Sequence, residues 1–494
     1  MRQFIKNKKK VYLGIFVIFF LVGLWNVWKL LPREINTAWG TYFVTESQVE
    51  FLTDTTYSDM SGKRVLDQQI FDEVMLMIDN ASSYIFVDLF LWNDFGASGG
   101  AVHRSLSSEL AEKLIAKKKA NPSIVIQVVT DPINTVYGGQ PSALFSDMED
   151  SGIQVTFTNL PALRDSNPIL SSVWRVFVYP VDLLHEALTG SLYTFRVFPN
   201  ILNPGGEKVT LRAYLSLLNF KANHRKLIVT DEMVLGSPSL VGLVASANPH
   251  DGSSSHSNVA LKVRGGAVAD LLLSEERVIT MAGGTFTQTN IIPKEVPGNV
   301  QTQVVTDRAI LDTAVSMIQN TAQGDTIDLL MFYLSERNII RELIEASKRG
   351  AVVRIILDPN KDAFGKKKNG IPNREVADSL VKKSGDSIKI RWCDTRGEQC
   401  HGKLLVVKHG DIRTMMLGSA NYTRRNIGGY NLETNIVLTS SSTYKVWSDA
   451  STYFDGLWNN TEGTFSTSYE AYKDESKIKK VIAWIMENIG LGTF

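Results

Sequence analysis

The sequence predicts an α/β protein of two tandem units with mostly parallel sheets, related by a pseudo-twofold and preceded by one transmembrane helix. Three observations carry that expectation. A helix, strand, helix, strand order ending in Asp-Pro occurs twice. A His-x-Lys run with Ser-Ala-Asn downstream also occurs twice. An uncharged stretch, Val11 to Trp28, follows a basic amino terminus.

The amino-terminal signal comes first along the chain. Arg2, Lys6, Lys8, Lys9 and Lys10 precede the apolar run, which is extended by Lys29, Leu30 and Leu31 and is about long enough to cross a bilayer as a helix. Trp25 and Trp28 sit at its far end, where amphipathic rings favour the membrane interface. The charge bias, with only Lys29 and Arg33 close behind, predicts a cytoplasmic amino terminus, a cell-membrane anchor over 1–40 and an outward-facing domain. A cleaved signal peptide is the rival, but no small-x-small site closes the run.

Length and composition bound the rest. A chain of 494 residues with 44% apolar content buries a large core and accommodates two domains. A net charge of +1 argues against a protein built mainly to hold nucleic acid, which rests on many uncompensated Lys and Arg contacts to phosphates. Cys393 and Cys400, seven positions apart, either pair in an oxidising compartment or stay as buried thiols.

The first unit, 41–290, reads as a helix from Val65 to Asn80, a strand from Tyr84 to Trp92, a helix from Leu106 to Lys119 and a strand from Ser123 to Thr130, closing at Asp131-Pro132. The second, 300–494, repeats the order with Ala309 to Asn320, Thr326 to Tyr333, Arg337 to Arg349 and Val352 to Leu357, closing at Asp358-Pro359. Gly283 to Gln303 reads as the linker. An insertion, 161–220, carries the apolar runs Val173 to Tyr179 and Leu192 to Phe198, which suit either a lipid-facing surface or extra core helices. Near the carboxyl terminus Ile478, Val481, Ile482, Ile485 and Ile489 recur at helical spacing, as in a helix that lies on a bilayer or docks on the protein.

The chemistry-bearing residues fall at matching places in both units. His224 and Lys226 head one apolar run, and Ala245-Ser246-Ala247-Asn248 follows; His401 and Lys403 head the other, followed by Gly418-Ser419-Ala420-Asn421. Residues two apart on a strand share a face, so each unit presents an imidazole beside an ammonium. One such site binds a phosphate, and two facing each other can cleave a phosphodiester.

These motifs resemble the phospholipase D superfamily. The resemblance implies a single active site at the seam between the halves, with no cofactor and no metal, where two lysines hold the phosphate oxygens. It implies His224 as the nucleophile forming a phosphohistidine and His401 as the general acid. Lys226, Lys403, Asn248 and Asn421 complete the catalytic set, and Ser246, Ser419 and Asn258 contact substrate. Glu433 matches the carboxylate that holds a catalytic histidine and is expected behind His401. The strand Ser257 to Leu261 offers only Asn258 in that role, so Asp251 or His256 stands as a substitute there. Asp231 keeps the motif's structural carboxylate, whereas Lys408 replaces it in the second unit and Asp411 is the candidate to supply it. His103, His185, His250 and His409 are expected at the surface or in packing.

Three functional classes follow. A membrane-bound phospholipid phosphodiesterase or transphosphatidylase is favoured by the anchor and apolar insertion, with phospholipid and membrane as its partners and no obligate protein partner; cardiolipin synthase is its transferase version. A single-stranded nucleic acid exonuclease shares the single-span layout, and Lys366 to Lys368 near Phe364 would then face a polyanion. A scaffold that retains the fold without activity is the third.

Overall fold

The computed structural model describes the chain except residues 1, 33–34, 97–103, 181–183, 185–195, 204, 235, 364–365, 491 and 493–494. Arg33, His103, His185, Phe364 and the stretch 192–195 therefore lie outside the described residues, and most of the insertion's second apolar run goes with them.

Two nine-stranded sheets pack face to face. In the first, the strand order is Gly463–Thr464, Val49–Asp59, Asn258–Arg264, Ser237–Ala245, Lys226–Val234, Tyr84–Leu89, Val125–Thr130 and Gln154–Phe157, with Arg64–Gln68 paired to Val49–Asp59 at its side. In the second, Ala38–Val44, Val300–Thr306, Thr434–Ser441, Ile412–Gly418, Lys403–His409, Thr326–Met331, Val352–Leu357, Lys389–Cys393 and Ser466–Ser468 follow one another. Seven consecutive strands of each match in order and direction, from Val49–Asp59 to Gln154–Phe157 in the first and from Val300–Thr306 to Lys389–Cys393 in the second, so the repeat in the sequence is a repeat in space.

The sheets are mixed, which corrects the expectation of mostly parallel strands. Among the strands of the described residues, parallel pairing is confined to Tyr84–Leu89 with Val125–Thr130 and then Gln154–Phe157, and to Thr326–Met331 with Val352–Leu357 and then Lys389–Cys393. The cause is the hairpin. Each lysine-headed strand turns straight back on itself, Lys226–Val234 into Ser237–Ala245 and Lys403–His409 into Ile412–Gly418, and a hairpin is antiparallel.

The halves also exchange edges. Ala38–Val44 pairs with Val300–Thr306 in the second sheet, while Gly463–Thr464 pairs with Val49–Asp59 in the first. A shared core fills the seam, where Phe86, Val229, Val244 and Leu261 of one half meet Leu404, Val406, Met415, Leu417 and Ile436 of the other. Separate clusters bury the outer helical layer of each sheet. The helix read from Val65 starts later, at Ile70, because Arg64–Gln68 is a strand beside Val49–Asp59. Cys393 and Cys400 form a disulfide across 6.2 Å between Cα atoms, closing the loop that leads into His401.

The amino-terminal helix runs over Arg2–Trp28, and Lys10–Trp28 is long and apolar enough to cross a membrane.

Candidate active site

Each histidine lies two residues before its strand, not within it, since the strands begin at Lys226 and Lys403. The lysine folds back on its own motif, donating from Nζ to the His224 carbonyl at 2.7 Å in one half and to the His401 carbonyl at 2.5 Å in the other. Register opposes Lys226 to Leu89 and Lys403 to Met331, so the next residue of each parallel strand faces the site. That residue is Phe90 or Phe332. Each ring lies 4.8 Å from its histidine ring and 5.1 Å from its lysine Nζ. Sequence reasoning passed over both phenylalanines, although their identical position one residue past equivalent strands was a readable signal.

The lead into each histidine is pinned from both halves. Asp131 accepts from the Asn223 amide at 2.7 Å and Asp358 from the Cys400 amide at 2.8 Å, so the repeated Asp-Pro corners fix the residue before each imidazole. His224 then donates its backbone N–H to the Leu432 carbonyl, and His401 to the Ser257 carbonyl, each at 2.8 Å and each across the seam. These two bonds place each histidine beside the next residue of the opposite half.

That crossing reverses the expected pairing. Glu433, anticipated behind His401, is 3.0 Å from Nδ1 of His224, and Asn258 Oδ1 is 3.2 Å from Nδ1 of His401. A carboxylate only accepts, so His224 carries its proton on Nδ1 and turns Nε2 away from Glu433. The Asn258 amide is fixed by its own donor, which reaches the His256 carbonyl at 3.1 Å and Asp54 at 3.4 Å, leaving Oδ1 to accept from His401. Neither Asp251 nor His256 substitutes for the missing carboxylate. Asp251 accepts from the Ser107 backbone and hydroxyl, and His256 lies with its ring 6.0 Å from that of His401.

Ser246, Ser419 and Asn258 are likewise redirected from the substrate to the protein. Ser246 Oγ donates to Asn258 and accepts from the Val259 amide, and Ser419 Oγ donates to Glu433 and accepts from the Thr434 amide. Both hydroxyls are fully buried and aim the group behind a histidine. Asn248 Oδ1 accepts from the Leu91 amide at 3.3 Å, whereas Asn421 Oδ1 has no hydrogen-bond partner among the described residues.

Asp231 gathers the loop before Tyr84, accepting from the amides of Ser82, Ser83 and Tyr84 and from the Ser82 hydroxyl. Asp411 does not take this role in the second half. It is exposed, and Asp325 takes over from within the loop by accepting from the Ala322 amide, while Lys408 pairs with Asp328 at 2.8 Å. His250 is buried beside the Ser253 hydroxyl, His409 is exposed and bonds Asp325, and Lys368 bonds the Tyr333 hydroxyl.

The electrostatics fit an anion site. Burial pushes His224 down to about 4, against the pull of Glu433, with Lys226 and Lys403 adding to the fall. His401 lies well below the usual histidine value through burial first, then Lys403, His256, Lys226 and His224. Burial brings Lys226 down to about 7, and burial with the nearby Lys226 ammonium holds Lys403 well below the lysine range. Burial alone would raise Glu433, yet His224 and Lys226 keep it below its ordinary value. The two motifs thus sense each other's charge across one site. Outside it, a groove of about 750 Å³ along Trp484 and Lys480 holds none of the motif residues.

Residues 315–458 match the family described as "Cardiolipin synthase, PLD-like domain". Over 92% of this chain and 98% of the other, the fold is similar to phosphatidylserine synthase of Haemophilus influenzae, at a TM-score of 0.56 and 10% identity. Residues 315–458 thus match a phospholipase D-like domain family, and the whole chain shares the synthase's fold. Nuc of Salmonella typhimurium, a phospholipase D family member, aligns with 33% of this chain and 97% of its own at 19% identity and a TM-score of 0.26. No curated protein matches by sequence. The matched region carries His401, Lys403, Asn421 and Glu433, whereas the first half's motif, with His224, Lys226 and Asn248, lies outside it.

Proposed function

We propose that this phospholipase D-like enzyme is a membrane-anchored phosphodiesterase or transphosphatidylase that works on phospholipid head groups through a phosphohistidine. The observation that carries the reading is the crossed pair: two buried imidazoles from separate halves, each oriented at Nδ1 by the other half and each with a lysine folded on its motif.

His224 attacks phosphorus through Nε2. Its adduct is a cationic imidazole whose Nδ1 proton faces Glu433, which stabilises that charge. His401, held by an amide, gives its proton more readily and protonates the departing alkoxide. Lys226 and Lys403 hold the phosphate oxygens, and the Asn248 and Asn421 side chains add hydrogen bonds as charge moves onto them. Water or an alcohol then attacks phosphorus, His401 taking its proton, as the phosphorus–Nε2 bond breaks and releases His224 as the neutral imidazole.

Transfer to an alcohol is the finer reading. Both histidines are more than nine-tenths buried, which limits free water, and the matched domain family and the structural neighbour are named for phospholipid synthases. The amino-terminal helix, long and apolar enough to cross a bilayer, supports a lipid substrate. Incubating the full chain with labelled phosphatidylglycerol, phosphatidylcholine and single-stranded DNA, with and without added alcohol, tests this. Lipid product that disappears in His401→Ala is expected. Shortened DNA with unchanged lipid would instead make the chain a nuclease.

A further inference from the structure

The insertion helix lies against the amino-terminal helix in a fixed antiparallel register. Asp165 donates its amide to the Asn26 carbonyl at 3.0 Å, Ser172 Oγ donates to the Phe19 carbonyl at 2.6 Å, and the Phe177 and Phe19 rings stand 5.3 Å apart. Between these contacts Gly23 meets Pro168 so closely that an added Cβ would lie 2.3 Å from its carbonyl oxygen. Lys29 reaches the Pro161 carbonyl below them. Moving from Lys29 back to Phe19 thus means moving forward from Pro161 to Phe177. Any plane that cuts the first helix at Phe19 also cuts the second near Ser172 and Phe177.

The second helix, Pro168–Val178, is apolar and faces outward, with Ile169 74% and Phe177 60% exposed. Its single charged residue, Arg175, turns back to Asp165 at 3.0 Å and to the Pro161 carbonyl, the manner in which a long cation at an interface keeps its head out of hydrocarbon. The carboxyl-terminal helix, Lys477–Asn488, is tied to the same level. Ser166 donates to the Gly490 carbonyl at 3.1 Å and Asn167 to that of Ile489. Its Ala483 and Met486 pack on Phe332 and Tyr333 beside the site, while Ile478 (74%), Val481 and Trp484 face outward.

Asp165 joins this level to the chemistry. Its fully buried carboxylate bonds Lys221, three residues before His224, a span of at most about 11 Å of chain.

We propose that Pro168–Val178 is embedded in the same leaflet as the exit half of the amino-terminal helix. The carboxyl-terminal helix lies on that leaflet's surface, and the site takes a phosphodiester from lipids of that leaflet without their leaving the bilayer. This rests on reading the first helix as a span and the substrate as a lipid.

The test uses the full chain, its two native cysteines paired, with a single cysteine introduced at an exposed position and labelled with an environment-sensitive fluorophore. Ile169→Cys, Ile478→Cys and a control, Met233→Cys on the strand Lys226–Val234, are reconstituted into phosphatidylethanolamine and phosphatidylglycerol vesicles carrying acyl-brominated lipid. Emission is expected to fall at I169C and I478C and to persist at M233C. Emission at I169C that persists as at M233C overturns the proposal, and persistence at I478C alone overturns the placement of the carboxyl-terminal helix. Lipid turnover is read on the same vesicles. Quenching without turnover leaves the embedded surface standing and removes the lipid substrate, so the two failures are told apart.

Discussion

In one half of the site, Ser419 and Asn426 aim the Glu433 carboxylate at His224; in the other, Ser246 aims the Asn258 amide at His401, with the Asp54 carboxyl behind it. The backbone scaffolds are alike, down to the Asp-Pro corner and the phenylalanine under each imidazole. What differs is the charge behind each ring. A carboxylate both orients an imidazole and stabilises its cation, whereas an amide only orients it. The comparison teaches that the pseudo-twofold fixes geometry, while one acid-to-amide difference sets the charge behind each imidazole, the difference on which the proposed roles of the two histidines rest.

The largest effect expected is the loss of either imidazole. His224→Ala and His401→Ala should each reduce turnover on the order of 10⁴-fold or more, as removal of a covalent enzyme's nucleophile or its base does. The halves separate when the leaving group needs no proton: with a p-nitrophenyl phosphodiester, His401→Ala should still accumulate acid-labile phosphoenzyme, and His224→Ala should not. Label trapped in His224→Ala would exchange the two roles.

Next comes the carboxylate. Glu433→Gln makes both halves amide-backed and is expected to reduce kcat on the order of 10²- to 10⁴-fold, the range seen when a histidine's orienting acid is neutralised. Asn258→Asp makes both carboxylate-backed. Because a carboxylate favours the imidazolium, it should raise the His401 pKa and move that histidine's limb of the pH–rate profile to higher pH. A profile that does not move would mean that Asn258 does not govern the proton on His401.

Anion binding sharpens the electrostatic side of the comparison. In the free enzyme Lys226 titrates at about 7, and Lys403 lies well below the lysine range. Only their charged forms attract a phosphodiester, so affinity for a soluble dialkyl phosphate, itself a monoanion throughout, should be greatest below pH 7 and fall as pH rises through it. Binding above pH 7 should take up protons. Calorimetry in buffers of different ionisation enthalpy measures both.

The smallest effects lie behind the strands. Asp231→Asn weakens bonds to three amides and a hydroxyl and should cost about 1 to 3 kcal/mol of stability while leaving the site's chemistry in place, as thermal unfolding and turnover together would show. Lys408→Ala at the corresponding place removes one partly exposed ion pair, worth about 0 to 1 kcal/mol.

Much of this was written in the chain locally. Hydrophobic runs bounded by Asp-Pro, and the two His-x-Lys motifs, mark the strands and the repeated unit because burial and backbone period act over a few residues. The direction of pairing was not legible, since an apolar run reads alike in parallel and antiparallel sheets until the hairpin that follows it is seen. Ser246, Ser419 and Asn258 looked like ligands because hydroxyls and amides carry no sign of whether they face a substrate or a neighbouring side chain. The edge exchange of Ala38–Val44 and Gly463–Thr464 joins residues from opposite ends of the chain, and no local pattern records such a partner.

The sequence by itself marked the groups to which the proposed chemistry is assigned, two imidazoles and two ammonium groups on matching α/β units, and an apolar helix ahead of them. Tertiary structure alone decided which acid serves which histidine. Glu433 follows the second motif in the chain yet bonds the first motif's ring, because the seam places Leu432 beside His224 and Ser257 beside His401. Side-chain identity is local, whereas proximity across a packed interface is set by how two whole sheets bury their shared face.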